Sequence, residues 1–252
     1  MQLPHDKFCV LPWISLETSP IGTIKPCCMA DAEITDANGK KYSLMQTNLK
    51  EAHNSEYMRS LRQEFLDGKQ PKTCKMCWDE EESGRTSKRM NTMTRLQHIV
   101  KDTEWTSDAK PLIFIDFKLG NICNLKCRIC GSWSSSTYAS EEVKFEGKET
   151  FHYQALKDGA WPRRNQKFWD EIDVMVDQIR YLEFTGGEPF MIKEHFELLQ
   201  RIVDKGIAHN IEIHYNTNGT HFPEHAEQIW NHFKTVEIAF SIDDVDERFE
   251  YQ

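Results

Sequence analysis

The chain lacks any apolar run long enough to cross a bilayer, because the best one, Pro111 to Leu119, is broken by Asp116 and Lys118. A secretory leader is also missing. Met1-Gln2-Leu3-Pro4-His5-Asp6 has no basic start, apolar core or cleavage site, which predicts a cytoplasmic protein with no membrane partner. Positive charge is in short supply. With 31 basic against 40 acidic residues the net charge is −9, so no global basic field draws the chain to a phosphate backbone, and nucleic acid is not the expected partner. The 252 residues fit one medium domain with a smaller companion.

Cysteine, by contrast, is present eight times. In a cytoplasmic chain these thiols are expected to be reduced and open to metal. Cys123, Cys127 and Cys130 are spaced C-x3-C-x2-C directly after the apolar run that ends at Leu119. Zinc ribbons use paired C-x2-C units and close four positions, whereas here the third partner comes early and the nearest downstream histidine is His152. Three cysteines so close together can ligate three corners of a cubane cluster and leave the fourth iron without a protein ligand.

From Pro111 onward, strand patterns alternate with helix patterns. Strands are expected at Leu112 to Leu119, Tyr181 to Thr185, Ile211 to Asn216 and Val236 to Ile242. Helices are expected at Ser134 to Val143, Asn165 to Gln178, Glu194 to Lys205 and Glu224 to Phe233, with Phe196, Leu199 and Val203 packing the third of them onto a sheet. Repeated strand-helix units predict a parallel α/β sheet. Strand alternation gives one polar face with Asp116, Lys118, Glu183, Thr185, His214, Asn216, Glu237, Ser241 and Asp243, and one apolar face that should meet the helices. Active sites of such folds lie at the carboxyl ends of the strands. Here those ends hold the three thiols, then Gly186-Gly187-Glu188-Pro189, then Thr217-Asn218-Gly219, then Ser241 and Asp243. The other histidines after Gly187, His195, His209, His221, His225 and His232, are expected on exposed helix or loop surface.

Upstream, Trp13 to Glu17 and Gly22 to Lys25 flank a Ser19-Pro20-Ile21-Gly22 turn and predict a hairpin that brings Cys9 towards Cys27 and Cys28. Met58, Leu61 and Phe65 mark a helix from Ser55 to Leu66, and Cys74-Lys75-Met76-Cys77 follows it. Five thiols on turns and element ends suggest one further metal site, with zinc or iron-sulfur as its occupant. The basic residues Arg85, Lys88, Arg89 and Arg95 are expected on a solvated helix face.

The C-x3-C-x2-C loop, followed by Gly186-Gly187-Glu188-Pro189 at the next strand end, resembles the signature of the radical S-adenosylmethionine (SAM) superfamily. That resemblance implies a partial (β/α)6 barrel over residues 111–252, with strands one to four present and the remainder expected in a longer protein. It implies that Cys123, Cys127 and Cys130 are catalytic as ligands of a SAM-binding 4Fe-4S cluster. It further implies that Gly186, Gly187, Glu188 and Pro189 bind the methionine moiety, that Ile129 lies against adenine, that Ser241 and Asp243 reach the ribose, and that Asn218 joins the cofactor contacts. The expected activity is reductive cleavage of SAM to a 5′-deoxyadenosyl radical for hydrogen abstraction, with flavodoxin or ferredoxin as electron donor. Cys9, Gly22 and Cys27 in C-x12-G-x4-C spacing, followed by Cys74 and Cys77, resemble the twitch and SPASM auxiliary modules. This second resemblance implies a small α+β domain over 1–83 holding an auxiliary 4Fe-4S cluster, a helical connector over 84–110, and a peptide or protein substrate. The module here precedes the barrel, and the adjacent pair Cys27 and Cys28 leaves one ligand open. The other class of function is a non-catalytic iron-sulfur or zinc-binding module.

Overall fold

The computed structural model describes residues 3–101, 103–157, 161–163 and 165–251. The chain forms two compact units, one taking in the chain up to Glu17 together with Thr23–Ile113, the other Thr18–Gly22 together with the chain from Phe114 onward.

The first unit begins with the short helix α1 (Leu11–Ile14), which has Pro12 in its first turn. Strands β1 (Ser15–Thr18) and β2 (Ile24–Lys25) are neighbours in the sheet, as the turn chemistry predicts. Helices α2 (Leu49–His53), α3 (Glu56–Leu66), α4 (Lys75–Glu82) and α5 (Lys88–Val100) complete it. Ser55 caps α3 by accepting from the Met58 N–H, and Met58, Leu61 and Phe65 form its buried face. Phe8, Trp13, Phe65 and Trp105 pack ring against ring, with Phe8 and Trp13 centroids 4.8 Å apart. A buried cation sits beside this cluster. Arg62 of α3 donates to the carbonyls of Pro12, His53 and Ser107, and burial brings its pKa down to about 10.

In the second unit β3 (Phe114–Phe117), β4 (Tyr181–Phe184), β5 (Glu212–Thr217) and β6 (Thr235–Phe240) pair in that order, all parallel. Between and after them run α6 (Ser136–Glu146), α7 (Phe151–Lys157), α8 (Gln166–Met175), α9 (Lys193–Asp204), α10 (Ala226–Trp230) and α11 (Asp246–Tyr251). The register aligns Asp116, Glu183, His214 and Glu237 in one row across the four strands. Period-two alternation puts Ile115, Phe117, Leu182, Phe184, Ile213 and Tyr215 on the opposite face, and all are buried. Phe117, Phe184 and Tyr215 stack across three strands on that side.

Four expectations fail, each for a physical reason. The apolar face of β6 is not covered throughout, since Phe240 is 61 % exposed. In α9 the buried stripe is His195, Leu198, Leu199 and Ile202, while Phe196 and Val203 lie half-buried at its margin. His195 is therefore core, not surface: its Nε2 lies 2.8 Å from the Tyr215 hydroxyl, and burial pulls its pKa down to about 3. Arg89 of α5 is buried instead of solvated, because Glu81 and the carbonyls of Asp6 and Phe8 satisfy its guanidinium. Helix α7 had no counterpart in the sequence pattern.

Candidate functional site

The three thiols lie on the irregular segment between β3 and α6. This segment carries backbone groups that no strand or helix satisfies, so side chains must do it. Ser135 caps α6 by accepting from the Tyr138 N–H, and its hydroxyl also donates to the Leu125 carbonyl at 2.6 Å. The Ser136 hydroxyl accepts from the Cys123 N–H, and Ser136 and Thr137 both donate to the Cys123 carbonyl. Asn121, buried, donates to the Ser132 carbonyl and so closes the base of the loop. The Ser134-Ser135-Ser136-Thr137 run was the available signal for this bracing, as a helix N-terminus signature directly after the thiols.

A second strand end docks on the same loop. Gly186 and Gly187 have φ +69° and +61°, the left-handed region that glycine enters without a Cβ penalty. A Cβ on Gly187 would lie 2.6 Å from the Ile122 carbonyl oxygen, and that same oxygen accepts from the Glu188 N–H at 2.7 Å. The backbones of the Gly-Gly segment and the thiol loop thus touch directly.

Glu188 departs from its expected role as a cofactor contact. Its side chain is fully buried, and its carboxylate accepts from the Thr217 hydroxyl at 2.7 Å, the Asn218 N–H at 2.7 Å and the Phe190 N–H at 3.2 Å. It acts as a brace between the ends of β4 and β5. Pro189 opens a 3-10 turn and is likewise buried. Asn218 closes the circuit: its Nδ2 donates to Asn124 and approaches the Cys123 Sγ at 3.7 Å. Sequence reasoning missed Thr217 as a partner of Glu188, since the two are separated by a whole strand-helix unit.

The remaining expected residues lie around this centre with less support. Ile129 is 68 % exposed, and Ser241 and Asp243 are exposed beyond the end of β6. Burial raises the pKa of Cys130, and the charges of Cys127, Cys123 and Asp243 add to that, so Asp243 lies within electrostatic reach of the thiol. Burial likewise raises the Cys123 pKa against the easing effect of the Leu125 N–H, with Glu188 pushing the same way. Below the strand ends, Asp116 and Glu183 are both buried, with carboxylate oxygens within 4.8 Å of each other, and Thr185 donates to Asp116 at 2.9 Å.

The first unit holds a second set of thiols. Cys9, Cys27, Cys74 and Cys77 line one internal cavity together with Arg89 and the rings of Phe65 and Trp78, and Cys28 is not part of that lining. Burial pushes Cys9 and Cys27 up to about 12 and raises Cys74 and Cys77, with neighbouring thiols adding to the effect. Backbone N–H groups of Leu11, Met29 and Arg89 point at Cys9, Cys27 and Cys77. Among the described residues, no three of these sulfurs lie within 4.8 Å of one another. A single tetrahedral zinc with bonds of about 2.3 Å would hold its sulfurs about 3.8 Å apart.

Both thiol sets fit a soft, positively charged metal centre. The donors are thiols, three or four to a site, whose protons a metal would displace, and buried amides already point at several of the sulfurs. No disulfide competes for any of the eight cysteines.

The fold and its strand ends define the second unit as a parallel α/β unit with a braced three-thiol loop at the carboxyl edge of its sheet. The family model for the radical SAM superfamily matches residues 117–252, more than half of the chain, and the chain belongs to that superfamily. The family implies a 4Fe-4S cluster and SAM as cofactors. No curated protein and no solved structure matches the chain. Among the described residues, no helix is long and apolar enough to cross a membrane.

Proposed function

We propose that the chain is a radical SAM enzyme whose cluster is held by Cys123, Cys127 and Cys130, with Gly186 and Gly187 forming the edge against which SAM binds. The observation that carries this reading is the direct contact between the Gly-Gly backbone and the thiol loop through the Ile122 carbonyl. When bound, the cluster supplies one electron that splits a carbon–sulfur bond of SAM, giving methionine and a 5′-deoxyadenosyl radical that abstracts hydrogen from a substrate. The chain's own residues set the geometry. Ser135, Ser136 and Thr137 hold the loop backbone, Glu188 locks two strand ends together, and Asn218 orients towards the Cys123 sulfur. Asn218, Ser241, Asp243 and Ile129 are the further cofactor contacts in this reading, and the Glu188 carboxylate is a brace.

The four thiols Cys9, Cys27, Cys74 and Cys77 are the ligands of an auxiliary 4Fe-4S cluster in the same reading. The wide spacing of their sulfurs favours a cluster over one zinc ion. With such a module the substrate is a peptide or protein, the electron donor a flavodoxin or ferredoxin, and the compartment the cytoplasm.

The test is iron and sulfide content after anaerobic reconstitution, with methionine and 5′-deoxyadenosine measured under dithionite. Replacing Cys123, Cys127 and Cys130 with Ala is expected to remove about four irons per chain, the content of one cubane, and to abolish product formation. Unchanged iron content in that variant refutes the reading.

A further inference from the structure

Arg89 is the residue that the second thiol set leaves unexplained. It is only 8 % exposed and lines the cavity into which Cys9, Cys27, Cys74 and Cys77 open. Four acceptors fix it. Its Nη1 donates to the carbonyls of Asp6 at 2.7 Å and Phe8 at 2.8 Å, and its Nε and Nη2 form a two-pronged pair with the Glu81 carboxylate at 2.9 and 2.5 Å. The guanidinium also lies 5.1 Å above the Trp78 ring. Its backbone N–H points at the Cys77 sulfur.

The charge balance around these sulfurs is lopsided. Glu81 acts on Cys9 and Cys77, Glu80 on Cys77, Glu17 on Cys27 and Glu64 on Cys74, whereas Arg89 is the one cation among the described residues that acts on Cys9 and Cys77. A cubane with four thiolate ligands is a net anion, and it becomes more negative when it accepts an electron. A fixed cation at the thiolates favours the reduced form, and a fixed anion disfavours it.

We infer that Arg89 is a positioning and charge-setting residue of the second metal site, raising the reduction potential of an iron-sulfur cluster held by Cys9, Cys27, Cys74 and Cys77, with Glu81 opposing it. The inference rests on the auxiliary-cluster reading given above. It also selects Cys27 over its neighbour as the fourth ligand, since Cys27 shares the cavity with Arg89 and Cys28 does not.

The experiment uses the full chain in which Cys123, Cys127 and Cys130 are Ala, so that only the second site holds iron, and follows the cluster in a potentiometric titration. Arg89→Gln is expected to move the midpoint to more negative potential by at least a tenfold change in the reduced-to-oxidised ratio, about 59 mV for one electron. Arg89→Lys keeps the charge and loses the two-pronged pair, so its midpoint stays near that of the parent. Glu81→Gln leaves Arg89 in place and moves the midpoint the other way. If Arg89→Gln does not fold or load iron, Glu81→Gln decides the matter alone. An iron-loaded parent whose midpoint ignores both charge changes, or in which Lys and Gln at 89 shift it equally, overturns the charge-setting role while the cluster reading stands. A colourless parent that holds zinc in place of iron overturns both.

Discussion

Replacing Gly187 by Ala tests whether the contact between two strand ends is a physical constraint. The residue has φ +61°, where a residue with a Cβ costs about 1–2 kcal/mol. A second cost comes from space. The new Cβ would lie 2.6 Å from the Ile122 carbonyl oxygen, and that atom is backbone, so it cannot rotate away as a flexible side chain could. Moving it weakens the bond it accepts from Glu188, worth about 0.5–1.5 kcal/mol net. The sum is about 2–3 kcal/mol. Two controls separate the terms. Gly147→Ala, at φ +67° with nothing within 4 Å, carries the strain alone, and Gly186→Ala, at φ +69°, meets mainly the Lys118 side chain, which can swing aside. The expected order of cost is therefore Gly187 above Gly186, with Gly186 close to Gly147. Native-state hydrogen exchange of the β3 and β4 amides measures the opening free energy of the second unit without interference from the first. A Gly187→Ala cost no larger than that of Gly147→Ala would refute the backbone contact.

Glu188→Ala leaves the Thr217 hydroxyl and the N–H groups of Asn218 and Phe190 without their acceptor, and at about 1–3 kcal/mol per buried unsatisfied group the loss is severe; Glu188→Gln keeps one acceptor oxygen and is expected to be milder. Equal thermal stability of the two variants would show that the carboxylate is not a brace. The buried histidines give a pH signature. His195 in the second unit and His53 in the first are each held neutral by burial, with pKa about 3 against a model value of 6.5, so below that value the unfolded chain binds the extra proton and stability falls as pH drops towards 3. The slope is up to about 1.4 kcal/mol per pH unit for each histidine, and His195→Gln is expected to flatten that of the second unit alone, as read from β-strand hydrogen exchange between pH 6.5 and 4.

Local features were legible in the sequence and long-range ones were not. The strand ends and the C-x3-C-x2-C loop could be read because period-two alternation and thiol spacing are properties of a few adjacent residues. Whether Cys27 or Cys28 turns towards Cys9 depends on the direction of two consecutive side chains on an irregular segment, which spacing does not encode. Arg89 was misread for a related reason. A cation on a helix is usually solvated, and the groups that bury this one, Asp6 and Phe8, are more than 80 positions away. For His195 the phase was available, since Leu198, Leu199 and Ile202 continue the stripe it begins, but residue type argued for the surface. Its hydrogen-bond partner Tyr215 lies on the next strand, beyond the reach of helical periodicity.

The bracing explains how an irregular loop can hold three thiols in a fixed arrangement. A loop with no ladder of its own has many conformations of similar energy, and ordering each residue costs about 1–2 kcal/mol of entropy. Here the loop after β3 is bonded to α6 through Ser135, Ser136 and Thr137, to the end of β4 through the Ile122 carbonyl, and to the end of β5 through Asn124 and Asn218. Glu188 then ties the second of these to the third. Because the anchors belong to adjacent strands in fixed register, displacing the thiols means breaking a tie to at least one strand end. The rigidity of the sheet is thereby transmitted to the residues that would meet the cofactor, which is the supporting shell a precise site requires.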